Sequence, residues 1–183
     1  MSVVDKVLGA ITPPESDKAR VEATAKARAL SDGGDWLADA LDHHDLIRQR
    51  FEACRAAEDP AARVAALRDL AVVLNGHSLA EELVLYPALA KAGEKGHAGL
   101  AYGEQTTAKM QMAELERIDP SKEAWRDKLE HIRGAVLHHI FEEEAKWFPD
   151  LKSKYDDQAF LTLRFREEYA RYVEGDGAGA PRG

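Results

Sequence analysis

Two segments of the sequence place a histidine four residues before a glutamate and end in an aromatic residue followed by proline. They are HSLAEELVLYP at 77–87 and HIFEEEAKWFP at 139–149. Residues four apart on a helix lie one turn above each other on one face, so each histidine projects together with its glutamate. The pairs are His77 with Glu81 and His139 with Glu143. Imidazole and carboxylate are good ligands for iron, zinc or manganese, and two carboxylates can bridge a pair of cations.

A single pair of this kind has a simpler interpretation. Histidine and glutamate four residues apart form a surface salt link on many glutamate-rich helices, and a proline kinks a helix near its end. Here the pair occurs twice with the same aromatic-proline ending. The duplication favours a shared metal site, with spacing sufficient for a binuclear centre.

An upstream segment adds His44 as a candidate ligand. Ile47 and Phe51 follow it by three and seven residues, which places His44 on the buried stripe of a helix. Adjacent helix residues point about 100° apart, so His43 is expected at the surface or behind the ligands. We expect the remaining histidines to lie outside the centre: His97, His131 and His138.

Apolar residues at helical spacing predict four long amphipathic helices. They cover about 35–57, 60–91, the segment from the glycine-rich turn at 92–99 to residue 118, and 121–154. Without sustained strand alternation, this pattern predicts an all-α, antiparallel up-and-down four-helix bundle. The second and fourth helices of such a bundle lie diagonally across the core, so the two histidine-glutamate pairs would face each other.

Shorter helices are predicted at both termini. We expect an N-terminal extension at 1–34 with a helix near 17–30, the bundle at 35–155, and a C-terminal helix with a disordered tail at 156–183. The terminal helices could cover the ends of the bundle or pair with a second chain as a homodimer.

The net charge of −8 and pI near 5.4 disfavour binding to phosphate backbones or anionic membrane surfaces. The only cysteine, Cys54, cannot form an internal disulfide or a multi-thiolate metal site, which indicates a reducing compartment. No apolar stretch is long enough to span a bilayer. We therefore expect a cytoplasmic protein without nucleic-acid or membrane partners.

Four segments together resemble the hemerythrin-like, or HHE cation-binding, family. They are HHDLIRQRF at 43–51, HSLAEELVLYPAL at 77–89, EQTTAKMQMAELE at 104–116 and HHIFEEEAKWFPDL at 138–151. The resemblance implies a non-haem di-iron site. In it, His44 and His77 bind one iron, His139 binds the other, and two carboxylates bridge them, those of Glu81 and Glu143.

The third helix departs from the family pattern. Where the family carries a histidine, EQTTAK offers Gln105, a weak neutral oxygen donor, and then Lys109. The iron near His139 is therefore short of ligands. Glu104 or Tyr102 could compensate, or that position holds solvent, or the site binds one metal or has lost it.

The resemblance also implies a function. We expect a metalloprotein whose iron binds, senses or reacts with dioxygen, peroxide or nitric oxide; zinc or manganese remain possible metals, and Glu142 or Glu144 could orient the histidines. The alternative is a helical interaction module with a degenerate or mononuclear site. Whether the protein is an enzyme stays open, because no catalytic residue is identified.

Overall fold

The computed structural model describes residues 15–175, and they fold into a bundle of helices. The helices are α1 (Asp17–Leu30), α2 (Trp36–Ala56), α3 (Pro60–Ala80), α4 (Tyr86–Lys91), α5 (Lys95–Leu115), α6 (Glu123–Glu142), α7 (Phe148–Lys154) and α8 (Gln158–Gly175). A first π-helical turn, Glu81–Leu85, joins α3 to α4, and a second, Glu143–Trp147, joins α6 to α7. No strand occurs between residues 15 and 175, and the predicted all-α, hemerythrin-like bundle is confirmed.

Local sequence signals fix where several helices begin. Asp35 and Asp59 accept hydrogen bonds from backbone N–H groups in the first turns of α2 and α3, and Pro60 occupies the first position of α3, where it has no hydrogen bond to lose. Asp119 instead accepts from the Ser121 N–H within a turn, so α6 begins only at Glu123. The predicted tail lies outside the described residues from 176 onward, and α8 remains helical to Gly175.

The order of packing places α3 and α6 at opposite corners of the bundle. Helix α2 packs against α3 and α6, and α5 packs against α6 and against the α3–α4 segment. The terminal helices cover its sides: α1 lies against α2 and the second π turn, and α8 lies along α3 and α2. Within the described part of the chain, no helix is both long enough and apolar enough to cross a membrane.

The core consists of two apolar layers with a polar layer between them. One layer holds Trp36, Leu41, Val84, Ala101, Phe148 and Phe165. The other holds Ile47, Phe51, Leu70, Met112, Ile132 and Ile140. On α2, His44 lies between Leu41 and Ile47, and on α5, Gln105 lies between Ala101 and Met112. Along both helices, the buried side chains are therefore apolar, then polar, then apolar again, and the polar ones lie in the same layer of the bundle.

Gly76 allows α8 to approach α3 closely, next to His77. A Cβ atom at Gly76 would lie 3.1 to 3.3 Å from side-chain atoms of Val173, Tyr172 and Tyr169 on α8, whereas one at the exposed Gly134 would meet nothing within 4 Å. We expect Gly76→Leu to lower the free energy of unfolding by about 1–3 kcal/mol through overpacking. Gly134→Leu should raise it by up to about 1 kcal/mol, through helix propensity alone. Urea denaturation of both variants checks this, and equal effects would contradict the close approach.

Candidate metal centre

Each π turn begins at the glutamate of a predicted pair and precedes an aromatic residue and a proline. The Tyr86 N–H donates to the Glu81 carbonyl, and the Phe148 N–H donates to the Glu143 carbonyl. The following proline lacks an N–H, and its ring would clash with the carbonyl four residues earlier in a regular α-helix. Widening the turn relieves that clash.

The π turn also changes which side chains share a face. In a regular α-helix, residues five apart point about 140° apart. The hydrogen bond between residues five apart in a π turn brings them toward the same side. Tyr86 therefore reaches back over Glu81, and its hydroxyl lies 3.1 Å from Oε2 of that carboxylate.

Helices α2 and α3 and the two π turns bring four candidate ligands together. The ligand atoms of His44, His77, Glu81 and Glu143 all lie within 4.8 Å of one another. The His77 Nε2 is 3.2 Å from Glu81 Oε1, and the His44 Nε2 is 3.3 Å from Glu143 Oε2. All four side chains are buried in the polar layer.

The inward atoms of this cluster have no hydrogen-bond partners among the described residues. They are His44 Nε2, His77 Nε2, Glu81 Oε1 and Glu143 Oε2. Leaving a buried polar atom unpaired costs about 1–3 kcal/mol, so four converging on one point require an explanation. Two imidazoles and two carboxylates are a donor set that suits a first-row transition metal. The residues therefore fit a bound metal ion.

The outward oxygens of the same carboxylates belong to a second polar group. Tyr86 donates to Glu143 Oε1 at 2.8 Å, and its hydroxyl is 3.0 Å from His139 Nε2. Gln105 Nε2 donates to Glu81 Oε2 at 2.5 Å and to the Tyr86 hydroxyl oxygen at 2.6 Å. Each carboxylate thus has one oxygen in each half of the centre.

Two carboxylates orient the histidine rings from behind. The His44 Nδ1 lies 2.8 Å from Glu144 Oε1, and the His139 Nδ1 lies 2.8 Å from Glu104 Oε2. Glu144 is held in turn by Arg48 and Thr24. A hydrogen bond from Nδ1 fixes the ring and leaves Nε2 free to face the centre.

The carboxylates strongly perturb the imidazoles. Burial alone would lower the pKa of His44, but the nearby carboxylates of Glu143 and Glu144 outweigh it and raise that pKa to about 9. Burial would raise the pKa of Glu143, but His139 and His44 hold it well below its usual range. Glu143 therefore remains an ionised carboxylate, the form that binds cations.

A sequence model of the family described as "Hemerythrin HHE cation binding domain" matches residues 36–151. The chain belongs to this family. The chain also matches a protein named "DNA nickase" from Nostoc sp. (strain PCC 7120 / SAG 25.82 / UTEX 2576), with 24% identity over 110 residues. The match covers 60% of this chain and 31% of that relative, so the chain spans about a third of its length. No solved structure matches.

The third-helix candidates occupy three different places around the hemerythrin centre. Gln105 is buried within it, and its Oε1 has no hydrogen-bond partner among the described residues. Glu104 lies behind His139, on the Nδ1 side of that ring, and so lies outside the ligand cluster. Tyr102 donates to the Glu82 carbonyl, and Lys109 pairs with the Glu82 carboxylate.

The remaining histidines lie outside the ligand cluster. His43 stacks on Tyr169 with ring centroids 3.8 Å apart, and the half-exposed His138 pairs with Glu15. His97 forms a second acidic group with Glu94 and Asp150. In that group Lys154 Nζ lies 2.6 Å from Glu94 and 3.1 Å from Asp150. The ammonium group of Lys154 therefore already balances the negative charge of these carboxylates.

Tyr86 is the site residue that sequence reasoning missed. The sequence marks it only as the aromatic residue before the proline of the first repeated segment, and a regular α-helix would point it away from Glu81. The signal that could have found it is the proline that follows, because proline forces the helix to widen just before it.

We expect Glu144→Ala to weaken metal binding by about 10–100-fold, because His44 would lose the partner that orients it. Glu142→Ala is the matched control: Glu142 lies two residues earlier, at the end of α6, and makes no hydrogen bond to a candidate ligand among the described residues. Competition titration with a chelator measures both affinities. Equal losses in the two variants would contradict the role of Glu144.

Proposed function

We propose that this hemerythrin domain binds non-haem iron and that the iron binds, senses or reacts with a small oxidant. His44 and His77 would hold one iron, His139 would hold a second, and two carboxylates would bridge them, those of Glu81 and Glu143. The observation that supports this best is the convergence of four buried, unpaired donor atoms on one point. Bound iron would supply the electrons, or the open coordination position, that dioxygen, peroxide or nitric oxide needs.

The surroundings of the centre favour small ligands. Apolar layers close it above and below, and His44, Glu81 and Glu143 are fully buried. His139 retains 8% exposure, and its partner Glu104 is partly exposed on α5. The centre is therefore least shielded from solvent on the side of α5. Only a molecule of a few atoms would reach the ligands there without unfolding the bundle.

The same proposal places the protein in the cytoplasm and without a nucleic-acid partner. The buried, unpaired Cys54 suits a reducing compartment. The Nostoc relative is named "DNA nickase", but the match covers only 31% of its length. A net charge of −8 disfavours contact of this chain with a phosphate backbone. The terminal segments at 1–34 and 156–183 would be additions to a bundle at 35–155.

The test is to purify the full chain without chelator, measure iron, zinc and manganese per chain, and record the near-ultraviolet spectrum. The protein reduced without air is then mixed separately with dioxygen, hydrogen peroxide and nitric oxide. We expect bound iron and a spectral change with at least one oxidant, and neither in His77→Ala. Wild-type protein with no more metal than His77→Ala would instead support the helical interaction module.

A further inference from the structure

The half of the centre that contains His139 is short of ligands in the sequence, because Gln105 replaces the expected histidine of the third helix. In the structure, the hydroxyl of Tyr86 lies in that half. It is in contact with both outward carboxylate oxygens and with the His139 Nε2. Tyr86 is 1% exposed, so these contacts are shielded from bulk solvent.

The spacing of these atoms matches that of ligands around one cation. Atoms bound at right angles to a metal ion about 2.1 Å away lie about 3 Å from each other. The Tyr86 oxygen lies 2.8 Å from Glu143 Oε1, 3.0 Å from His139 Nε2 and 3.1 Å from Glu81 Oε2. The His139 Nε2 lies 3.3 Å from Glu143 Oε1. These four atoms could therefore surround a single ion.

Hydrogen bonding alone explains this arrangement poorly. A phenol has one O–H to donate, and here it faces two carboxylate oxygens, Glu81 Oε2 and Glu143 Oε1. Gln105 already donates to the phenol oxygen and so occupies one of its acceptor positions. A cation in place of the proton would be shared by all of the negatively charged oxygens at once.

We propose that Tyr86 is a phenolate ligand of the second metal ion, together with His139 and the outward oxygens of Glu81 and Glu143. Binding replaces the phenol proton by the cation, and the proton leaves to solvent. The inference rests on the proposed iron binding and supplies the donor that the third helix lacks. Gln105 becomes the residue that orients the phenolate, through its N–H donated to the Tyr86 oxygen.

The experiment uses the full chain loaded with iron and oxidised to the ferric state. A phenolate bound to ferric iron absorbs visible light by charge transfer, whereas histidine and carboxylate ligands do not produce that band. We expect wild-type protein to show the band and Tyr86→Phe to lose it, with iron falling from about two ions per chain to about one. Resonance Raman spectra excited in the band should show tyrosinate vibrations.

Tyr102→Phe is the matched control. Its ring packs against Tyr86 with centroids 5.2 Å apart, but its hydroxyl donates to the backbone carbonyl of Glu82. We expect this variant to keep the band and the iron content. Circular dichroism of both variants verifies folding, and the Raman measurement on wild-type protein decides the question even if Tyr86→Phe unfolds.

Two results would overturn the inference alone. One is wild-type protein with a single iron per chain and no visible band. That result would mean that the protonated Tyr86 hydroxyl occupies the place of the second iron and does not bind it. The other is a band that survives in Tyr86→Phe. Wild-type protein that takes up no iron would overturn the proposed function as well, so the two failures can be told apart.

Discussion

Glu81→Ala should remove nearly all of the bound metal. The carboxylate places one oxygen beside His77 and the other in the group around Tyr86, so its loss takes a ligand from both halves of the centre. The effect should exceed the roughly 10–100-fold weakening that follows from changing a hydrogen-bond partner behind a ligand. Metal content per chain after dialysis against buffer measures the loss.

Glu94→Ala provides the matched control for Glu81→Ala. Glu94 belongs to the other group of histidine and carboxylates, in which Lys154 already balances the charge. We expect this variant to retain the metal content of the wild type. If Glu94→Ala lost as much metal as Glu81→Ala, the bound ions would have to lie elsewhere than in the buried cluster.

The stability order of wild type and His77→Leu should reverse when metal is removed. Without metal, neither ring nitrogen of the buried His77 has a hydrogen-bond partner among the described residues. Leucine of similar volume removes that penalty, so the chelated variant should be more stable than chelated wild type by about 1–3 kcal/mol. With metal at 1,000 times its Kd, only the wild type gains, by about 4 kcal/mol.

Thermal unfolding with added iron and with excess chelator measures the order of stability in each condition. For a chain of this size, a difference of 1 kcal/mol changes the Tm by about 2–4 °C. His44→Leu is the informative comparison, because it also removes a ligand but leaves Glu144 without its imidazole partner. Chelated His44→Leu should therefore be less stable than chelated wild type. Opposite signs for the two leucine variants are the expected result, and equal signs would contradict the assignment of unpaired atoms.

Much of the site follows from helical spacing alone. Residues four apart share a face, which is why His77 with Glu81 and His139 with Glu143 could be paired from the sequence. The buried stripe of α2 similarly distinguished His44 from His43, and the structure places the first in the cluster and the second against Tyr169. The bundle itself followed from four amphipathic segments and short connections.

The remainder depends on departures from the regular helix and on contacts between helices. Tyr86 joins the centre only because the turn before Pro87 is widened, and regular spacing rotates it away. Glu144 rather than Glu142 orients His44, and Glu144 is held by Arg48 on α2 and by Thr24 on α1, both outside its own helical segment. Likewise, Glu104 meets His139 because α5 packs against α6, a relation that no local pattern encodes.

The first π turn has a consequence for chain length. A widened turn accommodates one residue more than an α-helical turn, so everything after it is rotated by about 100° relative to an unbroken helix. Deleting the exposed Leu83 would remove that surplus residue and restore ordinary winding, and the tyrosine, then four residues after Glu81, would still share a face with its carboxylate. The cost would fall on the helix itself, because the ring of Pro87 would again meet the carbonyl four residues before it, with every histidine, glutamate and tyrosine still present.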